Sequence, residues 1–264
     1  MEYNDFQDYI DTNADIADIK ALPLMHNAME TDYTNHIMAD GILPQPCDVF
    51  IGNDLSYFFY GRPMYIPKPK PDLRENHYYV PVCIGINPEA ISYYAVTPTD
   101  TGAYNKRDDI KAHFGGIPID RYNMTATLEN IRCYIKTFWG TNYNYMHGEC
   151  KYQMSPECSD VVLVKMLEVL NGTIEFDGID NRIKAVEIRT KEACSLDAAT
   201  QVLIVPSDLF AESLAKFPNA MVIPYVATAG LVNEQMQNIV EIERAIIEYM
   251  INHGMIRSPE EQAS

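Results

Sequence analysis

By hydrophobic period, the chain divides into amphipathic helical stretches and apolar runs of strand length. The broadest helical face lies over 125–138, where Met124, Leu128, Ile131, Cys133, Ile135 and Phe138 share one side. A second helix is predicted over 159–170, capped by Ser159 or Asp160 and stopped at Asn171-Gly172. A long one over 232–252 closes at His253-Gly254. The pattern also predicts a helix over 31–40, with Thr31 as cap and Gly41 past its end. Further helices are expected over 208–216 and, shorter, over 5–12 and 108–113. Strand-length runs fall at 21–26 (broken by Pro23), 48–51, 77–87, 92–97, 184–189, 201–205 and 221–226. Residues 42–46 read as a turn, and 99–116 and 142–156 as mostly irregular. Residues 67–71 alternate Lys with Pro, a pattern that favours an extended loop. Residues 55–60, Leu-Ser-Tyr-Phe-Phe-Tyr, read as a helix stopped by Gly61, Arg62 and Pro63, with Tyr57 and Tyr60 on one face.

Strands and helices mix without regular strand–helix–strand alternation, which argues against a doubly wound parallel sheet. The expected class is α+β: a mixed, mainly antiparallel sheet with flanking helices and a long C-terminal helix. One domain over 1–264 is expected, with 1–20 as a peripheral acidic segment. The long C-terminal helix could pack on its own sheet or on a twin subunit, so a homodimer is a possible assembly.

Charge narrows the range of partners. The 264 residues carry 37 acidic and 20 basic side chains, a formal net of −17. Such a surface repels phosphate backbones and anionic lipid, which weighs against extended nucleic acid and membranes and towards a basic protein partner. Residues 1–18 have neither a basic start nor an apolar core of signal-peptide type, and no run reaches a membrane span. A cytoplasmic location follows as an expectation, with the six cysteines as reduced thiols. Lys68, Lys70, Arg74 and Arg62 form a small basic exception, read either as a solvated loop or as an anion site.

Phosphate-binding loops, dinucleotide Gly-x-Gly-x-x-Gly turns, His-Glu-x-x-His helices and nucleophile elbows are all absent from the sequence. His147, Cys150 and Cys158 could supply three soft metal ligands, but a closed zinc site takes four and usually a tight cysteine pair. Three other places could carry chemistry. At the Tyr60-Gly61-Arg62-Pro63 corner, a planar guanidinium could meet a phosphate or carboxylate beside a ring, or simply tie down a loop. Residues 97–104 present Asp100 and Thr101 in a turn. Glu187 lies inside an apolar strand, where it must face solvent or sit in a pocket with a task.

The layout of 21–43 resembles the opening of ADP-ribosyltransferase-like folds. Leu24-Met25-His26 stands for a strand ending in histidine, 31–40 for the helix after it, and Gly41-Ile42-Leu43 for the turn that follows. His26 is followed by Asn27-Ala28 where that family has Gly and a hydroxyl residue. The resemblance implies NAD as a substrate whose ribose–nicotinamide bond is cleaved. Glu187 would then be the catalytic carboxylate, with Tyr60 or Tyr65 stacking on nicotinamide. His26 would hold the adenosine ribose and Arg62 the pyrophosphate, with Asp100 and Thr101 nearby. Proteins of that kind include defence and toxin-like transferases. Two other readings stand beside it: a non-catalytic acidic immunity or regulatory protein that docks a basic partner, and a nucleotide- or sugar-processing enzyme using Asp100 and Glu187 as paired carboxylates.

Overall fold

The computed structural model describes residues 5–64, 80–155, 159–172, 181–228 and 232–257. Its strands are β1 (Leu24–Met29), β2 (Gln45–Pro46), β3 (Asp54–Tyr60), β4 (Pro81–Ile86), β5 (Ala95–Thr97), β6 (Glu187–Thr190), β7 (Thr200–Pro206) and β8 (Met221–Tyr225). They form one sheet in the order β5-β6-β3-β1-β4-β7-β8, with β2 paired to β3. Every pairing is antiparallel except β7 with β8, so the class is α+β with a mixed, mainly antiparallel sheet.

The helices flank this sheet. Helix α1 is continuous from Glu30–Asp32 through a π-type turn, Tyr33–Ile37, to Met38–Asp40. After it come α2 (Thr101–Lys106), α3 (Asp108–His113), α4 (Leu128–Tyr134, extended by a π-turn over Ile135–Trp139), α5 (Asn142–His147), α6 (Val161–Leu170), α7 (Leu196–Ala199), α8 (Phe210–Lys216) and α9 (Val232–Asn252). Asp160 caps α6 by accepting from Val162 and Leu163 N, and Thr127 caps α4 in the same way. The side chain of Asp100 caps α2, so the supposed turn at 97–104 is the start of a helix.

Residues 55–60 depart from expectation: they form β3, not a helix. Aromatic side chains pack well on a pleated surface, and β3 is hydrogen-bonded along its edges by β1, β2 and β6. Strand geometry sends Tyr57 and Tyr60 to opposite faces, which breaks the shared face that a helix would have given them. Residues 48–51 are bends, and 142–147 form α5.

The N-terminal segment is not peripheral. Phe6 is wholly buried, its ring against Phe138, Tyr122 and Tyr134, and Ile10, Ile19 and Leu22 are buried as well. Acidic residues on its outer side pair with Arg121 and Lys136. Core residues from this segment, from both sides of the sheet and from α4 to α6 and α9 belong to one continuous cluster. Among the described residues no helix is long and apolar enough to cross a membrane.

Candidate functional site

The sheet opens where β1 leaves β3. Their ladder holds only Leu24↔Tyr60 and Met25↔Phe59, after which β1 continues along β4 as far as Met29↔Pro81. His26 spans the gap: its Nδ1 lies 2.9 Å from the carbonyl oxygen of Tyr57. A carbonyl can only accept, so Nδ1 carries the proton and Nε2 is left as an acceptor. Burial holds the imidazole below its ordinary pKa, opposed only in part by this hydrogen bond, so the ring is neutral near pH 7.

A cleft of about 610 Å³ occupies the opening, walled by His26, Asn27, Ser56 and Tyr57, by α1 and by residues 41–48. The π-turn of α1 brings His36 and Ile37 to this wall, a distortion often met beside functional sites. Gly41 ends α1 at φ +78°, and Ile42 then exchanges backbone hydrogen bonds with Cys194 to fix the cleft floor.

Two polar atoms of wall residues have no hydrogen-bond partner among the described residues. Ser56 is 4% exposed and its Oγ is unpaired. Asn27 donates from Nδ2 to Met64 O at 2.6 Å, which leaves its buried Oδ1 unpaired. Buried polar groups are almost always satisfied, so two unpaired atoms just beneath one cleft wall single this wall out, although neither atom is open to the cleft as folded. The wall also carries Asp32, Asp40 and Asp48 and no Lys or Arg. Acceptors thus dominate, and a donor-rich, neutral or cationic ligand fits best. Cys47 stands at the same wall with Sγ 2.7 Å from Tyr57 Oη and 3.0 Å from Phe50 N.

Behind Tyr57 lies a buried ionic cluster. Glu187 is 1% exposed, accepting from Thr101 N at 3.0 Å and Thr101 Oγ1 at 2.8 Å. Arg189 Nε lies 3.3 Å from its carboxylate, and the Arg189 guanidinium faces the Phe50 ring at 4.4 Å. Burial first, then the nearby Asp100 carboxylate, raises the pKa of Glu187 against the pull of Arg189 and the Thr101 bonds. Asp100 accepts from Ala103 N and lies 3.5 Å from Arg182. As folded, this cluster stitches β6 to the start of α2, and the segment carrying Phe50 covers it.

The site residues expected from sequence are therefore dispersed. Glu187, Asp100 and Thr101 come together, but away from the cleft wall that His26 lines. Tyr60 does not offer an open stacking surface: it is wholly buried, with its hydroxyl accepting from Leu22 N and its ring near Tyr145. Arg62 lines a different, smaller cavity. Tyr65, with Lys68, Lys70 and Arg74, lies outside the described residues, as does Cys158. His147 stacks on Tyr143 and Cys150 donates to Phe138 O. Among the described residues no group of three or more metal-ligating side chains converges, and Cys47, Cys83, Cys133, Cys150 and Cys194 are free thiols.

Ser56 carried no signal in the sequence, and Tyr57 stood out only as a ring expected to share a helix face with Tyr60. The one signal for Asn27 was its place directly after His26. Set against known proteins, the chain matches no family model and no curated protein.

Proposed function

We propose that the chain is a nucleotide-binding enzyme of ADP-ribosyltransferase type that takes the nicotinamide–ribose end of NAD into the cleft between β1 and β3. The observation that carries this reading is the acceptor-rich cleft wall of the neutral His26 and of Asp32, Asp40 and Asp48, with Ser56 Oγ and Asn27 Oδ1 unpaired just beneath it among the described residues. A ribose diol and a carboxamide supply the donors these atoms lack, and a positively charged nicotinamide ring suits a wall bearing Asp32, Asp40 and Asp48. The diphosphate would stay at the mouth, where Lys106 is exposed beside Asp48.

Cleavage of the ribose–nicotinamide bond builds positive charge on the sugar, which water captures as nicotinamide leaves with the bonding electron pair, and an ionised carboxylate close to the sugar lowers the barrier. In this reading Glu187, which lies behind Tyr57 and off the cleft wall, plays that part once the 47–53 segment and Tyr57 move aside and open the cleft to its carboxylate. The closed form described above binds without turning over, since its carboxylate is shut away and held towards the protonated state. The test is nicotinamide release from NAD. Glu187→Gln is expected to abolish it and His26→Ala to weaken substrate binding. A wild-type chain that neither binds NAD nor releases nicotinamide would overturn the proposal, and a Glu187→Gln variant with normal turnover would remove Glu187 from it.

A further inference from the structure

A second cavity, of about 230 Å³, lies between the β3 exit, α5 and α9, and holds two cations that the cleft does not use. Arg62 is 9% exposed: its Nη1 donates to Lys184 O at 3.4 Å and its guanidinium carbon sits 5.7 Å from the Tyr145 ring. Lys184 is half-buried beside it, its stem near Gly148 and its ammonium near Gly172. Burial, and then the Arg62 charge, lower the pKa of Lys184. Among the described residues neither cation has a carboxylate within ion-pair distance. Glu243 shares the cavity, held towards its protonated form by burial and away from it by Arg62.

The buried Arg62 guanidinium and the half-buried Lys184 ammonium repel each other, and among the described residues only Glu243, itself held towards its protonated form by burial, shares the cavity to offset them, so a bound anion would relieve the repulsion. A guanidinium fork beside an ammonium is also the donor set that grips an oxyanion. Met64, Met146, Ile246 and Ile247 supply apolar parts of a wall that also carries His147 and Glu243. We propose that this cavity binds a small oxyanion carried on a short apolar stem, its phosphate or carboxylate head held by Arg62 and Lys184. The site is separate from the NAD reading and stands or falls without it.

The test is calorimetric titration of the full chain with inorganic phosphate and, separately, with butyrate, at ionic strength matched with chloride. Saturable binding of either is expected, the stronger of the two identifying the head group. Lys184→Gln should weaken it about tenfold or more and Lys184→Arg should restore it. Glu243→Gln should tighten it by removing a competing carboxylate. Lys184 is half-buried, so its variants should fold, and an unchanged circular dichroism spectrum would show that they do. Absence of binding by both anions, or equal affinity in wild type and Lys184→Gln, would overturn the proposal.

Discussion

A buried hydroxyl without a partner costs roughly 1–3 kcal/mol, and Ser56 Oγ has no hydrogen-bond partner among the described residues. Ser56→Ala should therefore leave the unliganded chain as stable as wild type, or about 1 kcal/mol more so, by urea melts. A loss of more than 1 kcal/mol would mean that the hydroxyl has a structural partner. Glu187 makes the opposite kind of statement. Its folded pKa is raised above the ordinary 4.5, so between those two values the folded chain holds a proton that the unfolded chain has released. Its contribution is full below the ordinary value and is lost as pH rises through the folded one. The fall in urea midpoint with rising pH should be steeper in wild type than in Glu187→Gln. Parallel profiles would contradict a raised pKa. His26 and Glu187 could be picked out in the sequence because a histidine at the end of a predicted strand, which in fact runs on to Met29, and a glutamate inside an apolar one are both unusual. Ser56 could not, because a serine in an aromatic run is unremarkable until the neighbouring strand departs.

At the scale of elements, the cleft depends on how α1 ends. A Cβ at Gly41 would stand 2.4 Å from Cys194 O, at a φ of +78° that other residues rarely adopt. Gly41→Ala should cost on the order of 2 kcal/mol or more and loosen the cleft floor, read as a drop of several degrees in Tm. An unchanged Tm would mean that the turn has another conformation open to it. The 47–53 segment invites a second test: Phe50→Ala uncovers Arg189, and in the proposed reading it should raise nicotinamide release several-fold. No gain in a folded variant would argue against the segment as a cover. Helices with a clear period were legible here, α9 down to its ends. β3 was not, because Leu-Ser-Tyr-Phe-Phe-Tyr has no period of its own and its state is set by pairing with β1, β2 and β6.

For the molecule as a whole, the sheet is continuous from β1 through β8 but opens on the other side of β1, and that opening is the feature a function can use. No pattern in the chain announces it. A ladder two residues long is a matter of tertiary arrangement that hydrophobic period does not encode. The net charge of −17 was legible at once, and with it the expectation of a basic partner. Titration of nicotinamide riboside into the full chain tests the central claim most directly, since this cation carries the ribose hydroxyls and carboxamide without the phosphates. Saturable one-to-one binding is predicted, weakened about tenfold in Ser56→Ala. No heat of binding in wild type, or the same affinity in both proteins, would contradict the cleft as the ligand site.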